Sequence, residues 1–160
     1  MRLEVVSGVE IAYAKEGQAE GKGKTSVLLH GFTGCGASWQ EIVQALRSSW
    51  RLILPDLLGH GESSAPADSR HYRIEAAAAY LAALVDQASG EPVHLVGYSM
   101  GGRLALYFAL TYPERVQSLV LESASPGLDN EVERAARCAA DEALANIILV
   151  DGIAAFVDRW

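Results

Sequence analysis

Gly97-Tyr98-Ser99-Met100-Gly101-Gly102 sets a serine between glycines at the spacing G-x-S-x-G, with one glycine more. A serine in such a run becomes a nucleophile when the chain turns so sharply that its hydroxyl stands clear of the backbone, and small flanking residues allow that turn. The context matters as much as the motif. Val93 to Val96 reads as a buried strand and Arg103 to Leu110 as a helix, which puts Ser99 at the strand-to-helix junction that a nucleophile elbow needs. The plain alternative is a glycine-rich turn with an incidental serine.

His30-Gly31-Phe32-Thr33-Gly34 follows another apolar run, Thr25 to Leu29. A glycine-containing loop in that place can offer a backbone N–H to developing oxyanion charge, beside the N–H of the residue after the nucleophile. Phe32 and Met100 are the expected donors. His30 is read as a residue that fixes this loop by hydrogen bonding, not as a base. Asp56-Leu57-Leu58-Gly59-His60-Gly61-Glu62-Ser63 then occupies the loop after the next strand.

These three motifs in this order resemble the α/β-hydrolase superfamily, over roughly the first 125 residues. The resemblance implies a mostly parallel sheet with helices on both faces, and it gives Asp56 and His60 a part in shaping a loop beside the site. Further residues narrow it. Gly97 to Arg103, Glu122-Ser-Ala-Ser-Pro-Gly-Leu128, Glu133-Arg134-Ala-Ala-Arg137 and a helical tail ending at Trp160 resemble the 2-succinyl-6-hydroxy-2,4-cyclohexadiene-1-carboxylate synthases of menaquinone biosynthesis. In that family a proton is abstracted and an enolpyruvyl group is eliminated as pyruvate, with no acyl-enzyme and no cofactor.

The resemblance implies that Ser99 acts as base or proton relay, primed by a histidine, and that the ligand is a small carboxylate. Arg103, one helical turn past Ser99, and Arg137 would supply bidentate guanidinium contacts. Arg134, Tyr98 and Trp160 are further candidates for substrate contact. Each has a structural alternative: Arg103 pairing with Glu122, Arg134 and Arg137 forming a solvated helix face, Tyr98 as packing, Trp160 as an unanchored end. A serine esterase or C–C bond hydrolase would use the same Ser99 and oxyanion donors. A non-catalytic, truncated product is the third reading.

The elements that must position these groups follow from periodicity. Leu3 to Val6 and Val9 to Ala14 alternate as a β-hairpin, Glu16 to Lys24 reads as a link, and Trp50 to Pro55 and Val116 to Leu121 read as further strands. Trp39, Ile42, Val43 and Leu46, then Ile74 to Val85, then Met100 to Tyr112 follow helical spacing. Apolar strands alternating with helices indicate right-handed βαβ crossovers. Residues 1–128 are expected to form the N-terminal part of an α/β core, and 129–160, with no strand apparent and a break at Asp151-Gly152, the start of a helical lid.

Composition sets outer bounds. With 160 residues, half of them apolar and 21% charged, the chain is of ordinary globular type. Its net charge of −7 opposes a general attraction to nucleic acid or anionic membrane. No apolar run is long enough for a membrane helix and the N-terminus has no signal-like core, so the cytoplasm is the expected compartment. Cys35 and Cys138 stand far apart without a Cys/His cluster, which suggests neither a zinc site nor a disulfide framework. Oligomeric state is left open.

A triad acid and histidine are expected after the serine, on later strands. The four histidines, His30, His60, His71 and His94, all precede Ser99. Glu122 stands where some superfamily members carry the acid, which is empty without a histidine. The expectation is therefore an N-terminal piece of a longer α/β protein, with an open sheet edge that favours association.

Overall fold

The computed structural model describes residues 1–6, 8–17 and 24–160. It contains two compact units, Met1–Ser125 and Pro126–Trp160. The first is built on a six-stranded sheet: β1 (Arg2–Val6), β2 (Val9–Gly17), β3 (Thr25–Leu29), β4 (Arg51–Pro55), β5 (Val93–Tyr98) and β6 (Val116–Glu122), in the spatial order β1-β2-β4-β3-β5-β6. β3 pairs in parallel with both β4 and β5, and β5 with β6, while β1 and β2 form an antiparallel hairpin that joins at β4.

Three helices make the crossovers: α1 (Gln40–Leu46), α2 (Ile74–Ala88) and α3 (Met100–Thr111). The alternation of side chains along the strands sends neighbours to opposite faces. Val27, Leu29, Ile53, Val93 and Leu95 pack with Leu81, Leu84 and Val85 of α2 and with Leu104, Ala105 and Phe108 of α3. Leu28, Leu52 and Leu54 meet Val43 of α1 on the other face, with Trp39 and Leu46 beside them. All five residues of β3 are buried. This explains why that strand reads as a continuous apolar run: a central parallel strand has no face to give to water.

Some boundaries differ from the periodic reading. β2 runs on through Glu16 and Gly17, which the sequence assigns to the link, because it continues its antiparallel pairing with Leu52 and Arg51 of β4. Residues 18–23 of that link lie outside the described residues. Trp39 ends a short 3-10 turn, Gly36–Trp39, instead of opening the helix. The Asp56 carboxylate accepts the Gly36 N–H at 2.6 Å and so ties the start of that turn to the end of β4.

In the second unit, α4 (Glu131–Arg159) starts where the Asn130 side chain accepts the Glu133 N–H at 2.8 Å. It is broken at Gly152, whose φ of 84° is not helical. The break falls where the sequence places it. Arg159 pairs with Asp151 across it at 3.2 Å, and Phe156 stacks on Trp160 with ring centroids 5.4 Å apart.

β6 closes the sheet order with Val120 53% and Leu121 39% exposed. Among the described residues β6 pairs with β5 alone, and an apolar strand at a sheet edge is a template for association. The chain is expected to self-associate, and Val120→Lys, a charge on that strand, should raise the monomer fraction seen by sedimentation at matched concentration.

Candidate active site

Ser99 has φ 51° and ψ −110°, a backbone conformation that L-residues rarely adopt. It is held there by three close approaches. A Cβ on Gly97 would stand 2.5 Å from the Gly101 carbonyl oxygen, one on Gly101 2.3 Å from that of Leu29, and one on Gly102 2.5 Å from Ala124 Cβ. None of these positions has space for a side chain. The first turn of α3 therefore lies directly on the ends of β3 and β5, and the Ser99 N–H donates to the Glu122 carbonyl at 2.9 Å, fastening the elbow to β6.

The loop after β3 lies against this elbow. A Cβ on Gly31 would be 2.8 Å from the Tyr98 ring and 3.5 Å from Ser99 Cβ. The Tyr98 ring thus packs against the backbone of the loop after β3 while the residue remains 43% exposed. The Gly34 N–H donates to the Gly31 carbonyl at 3.1 Å, closing a turn in which Thr33 takes φ 69°. The Met100 N–H belongs to the first turn of α3, where N–H groups have no acceptor within the helix. Phe32 and Met100 both line one cavity, of about 400 Å³.

The walls of that cavity are almost wholly apolar, with Leu57, Leu58, Ile74, Leu81 and Leu84 among them. Arg103 lines it too, and its side chain makes no hydrogen bond or ion pair among the described residues. The alternative in which Arg103 pairs with Glu122 is not what the structure contains. Arg103 is exposed, so its guanidinium stays in water while its stem borders the apolar wall, and it is available to pair with an anion.

Each of the four histidines hydrogen-bonds a group other than the Ser99 hydroxyl. His30 is fully buried, with Nδ1 donating to the Gly31 carbonyl at 2.8 Å and Nε2 accepting the Leu57 N–H at 3.0 Å. It is a neutral brace between the loops after β3 and β4, and burial pushes its pKa below the ordinary imidazole value. His60 Nδ1 meets the Leu58 carbonyl at 3.1 Å, His71 Nδ1 meets the Tyr80 hydroxyl at 2.6 Å, and His94 Nδ1 meets Ser118 Oγ at 2.7 Å. Among the described residues no side chain hydrogen-bonds the Ser99 hydroxyl.

Asp56 has the loop-shaping part that its motif suggests. Its carboxylate accepts the Glu62 N–H at 2.9 Å as well as that of Gly36, and its own carbonyl accepts the Ser63 hydroxyl at 2.5 Å. Ser63 Oγ in turn accepts the Ala12 N–H at 2.8 Å, and Ser64 Oγ that of Glu10 at 3.0 Å. The loop is clipped onto β2 at both residues.

In the second unit, Arg137 pairs with Asp141 at 2.8 Å, one turn along α4. Arg134 donates to the carbonyls of Leu128 and Asp129 at 2.9 and 3.1 Å, where it closes the entry to its own helix. Trp160 is stacked on Phe156. Among the described residues no group of His, Cys, Asp and Glu could hold a metal ion, and no helix is long and apolar enough to cross a membrane.

A family model described as alpha/beta hydrolase fold matches residues 27–139. The chain belongs to that family. Along all 160 residues it is 47% identical to a Bacillus subtilis (strain 168) protein described as a candidate 2-succinyl-6-hydroxy-2,4-cyclohexadiene-1-carboxylate synthase, of which it covers 57%. It is 40% identical over 108 residues, 65% of its length, to 2-hydroxy-6-oxo-2,4-heptadienoate hydrolase of Pseudomonas putida, covering 38% of that protein. The structure of MenH from S. aureus superposes with a TM-score of 0.85 over 92% of this chain and 55% of that one, at 30% identity. The chain thus spans a little over half the length of the Bacillus subtilis and S. aureus relatives.

Two outcomes follow for this α/β-hydrolase unit. Gly101→Ala should destabilise it by roughly 1–3 kcal/mol or more in urea unfolding, because the obstacle is the β3 backbone and not a movable side chain. Because folding disfavours the protonated form of His30, its contribution is complete above about pH 6.5 and is lost as the pH falls from there toward the folded-state value. The urea midpoint of the native sequence should therefore fall below about pH 6.5, and less steeply in His30→Gln.

Proposed function

We propose that the chain carries the nucleophile and oxyanion half of an enzyme that eliminates pyruvate from a succinyl-substituted cyclohexene carboxylate, a carbon–oxygen lyase of the menaquinone pathway. The observation that carries this reading is an unpaired Arg103 on an apolar cavity, beside a strained Ser99, in a chain 47% identical over its full length to a protein described as that synthase. A ring-bearing carboxylate matches both halves of such a cavity: the ring meets the aliphatic walls and the carboxylate meets the guanidinium.

In the reaction a proton leaves a ring carbon, its electron pair forms the new ring double bond, and the C–O bond to the enolpyruvyl group breaks. The leaving group departs as enolpyruvate and becomes pyruvate. Ser99 serves as base or relay, primed by a histidine that none of the four in this chain supplies. The N–H groups of Phe32 and Met100 stabilise the charge that develops on oxygen. Arg103 orients a carboxylate, and Arg137 and Arg134, with Tyr98 and Trp160, form the further substrate contacts. Arg137 would have to exchange Asp141 for the ligand, a small loss for an exposed ion pair. No cofactor enters the electron balance.

The likeness to the Pseudomonas hydrolase supports a second reading, hydrolysis of an ester or C–C bond through an acyl-Ser99. The two separate on Arg103. In the lyase reading the protein carrying this chain releases pyruvate from the cyclohexene substrate, and Arg103→Ala raises KM by about tenfold or more, the worth of a charged hydrogen bond. Rapid turnover of p-nitrophenyl esters without pyruvate release, indifferent to Arg103→Ala, would establish the hydrolase instead.

A further inference from the structure

His71 and Tyr80 form a hydrogen-bonded polar pair in the mostly apolar wall of the cavity. Neither belongs to the motifs around Ser99. Tyr80 lies on α2, whose residues Ile74, Ala77, Leu81 and Leu84 line the same cavity at helical spacing. His71 comes from the 3-10 turn Ser69–Tyr72 just before that helix, which the Asp68 side chain caps by accepting the Arg70 N–H. Both side chains are thus delivered by fixed elements of the fold.

Their hydrogen bond decides what His71 can offer a ligand. A phenol O–H is a stronger donor than a neutral imidazole N–H, and an imidazole nitrogen a stronger acceptor than a phenol oxygen, so at 2.6 Å the Tyr80 hydroxyl donates to Nδ1. The ring proton then sits on Nε2, since the bond at one nitrogen sets the tautomer at the other. Nε2 has no protein partner among the described residues. His60, which lines the same cavity, is set the opposite way: its Nδ1–H is taken by the Leu58 carbonyl, leaving Nε2 an acceptor.

We infer that His71, held in its Nε2–H tautomer by Tyr80, is a specificity-determining donor of this cavity that takes an acceptor oxygen of a ring-bearing carboxylate ligand, while Arg103 takes a second. Arg103 rises from the first turn of α3 and His71 from the turn before α2, so the two donors enter from different elements. A ring that carries two acceptor groups can satisfy both donors, and a ring with one acceptor group leaves one of them without its own partner. The inference rests on the cavity beside Ser99 being the substrate site, and Tyr80 is its positioning residue.

The test is binding by this chain, labelled with ¹⁵N-histidine and titrated with trans-cyclohexane-1,2-dicarboxylate. Before ligand is added, the long-range ¹H–¹⁵N spectrum should show His71 as the Nε2–H tautomer, and Tyr80→Phe should mix the tautomers. On titration the His71 Nε2 signal should move along the binding curve. His71→Leu should weaken binding about tenfold, and His71→Gln, which keeps a donor, should recover most of it. Urea midpoints of the variants identify any loss that reflects unfolding, and the Tyr80→Phe tautomer result does not depend on His71 substitutions. Absence of binding, a His71 signal that ignores the ligand, or equal affinity in His71→Leu overturns the inference. Failure of pyruvate release alongside His71-dependent binding would overturn the proposed reaction and leave this inference standing.

Discussion

Everything at this site depends on how closely α3 approaches the sheet. The Ser99 backbone is held at φ 51° by close packing around the turn, with Gly97 and Gly101 against main chain and Gly102 against Ala124 Cβ at distances that no side chain permits. The strain at one residue, of order 1–3 kcal/mol, is carried by packing elsewhere. Phe108 and Leu104 supply much of it: they seat α3 on the face formed by Val93, Leu95 and Leu29. The burial of a helix face thereby becomes the exposure of a hydroxyl.

The same economy governs the loops. β3 and β4 are parallel neighbours, so the loops leaving their C-terminal ends, at His30 and Asp56, emerge on one side of the sheet with the elbow at the end of β5. Each loop is then fixed by one buried polar residue instead of by a core of its own. His30 joins the two loops to each other, and Asp56 ties the second to the start of α1's approach and, through Ser63, to β2. A charged His30 could not accept the Leu57 N–H, which is why its neutrality is structural and why it is unavailable as a base.

The elements around Ser99 were legible because their residues answer to local rules. Glycine spacing marks the elbow, uniform burial marks β3, and the break at Gly152 follows from a residue that tolerates positive φ. Two kinds of feature were not legible. The extension of β2 through Glu16 and Gly17 depends on register with β4, a non-local pairing that composition does not encode. The pairing of His71 with Tyr80 joins residues whose types are individually unremarkable, and only the turn before α2 brings them to one wall. The spacing of Arg134 and Arg137 likewise showed a shared helix face but not that one would close the helix entry and the other meet Asp141.

Charge gives a final constraint on what the cavity can hold. With a net charge of −7, the chain as a whole repels an anionic ligand, and at physiological salt that field fades within about 8 Å. Capture therefore falls to groups inside that distance. Arg103 meets the requirement because its guanidinium has no ion-pair partner among the described residues and borders an apolar cavity, where it can offer an anion a bidentate contact. A neutral ester needs no such group. On one and the same elbow, a guanidinium beside an apolar cavity favours a ligand carrying both a ring and a carboxylate over a neutral ester.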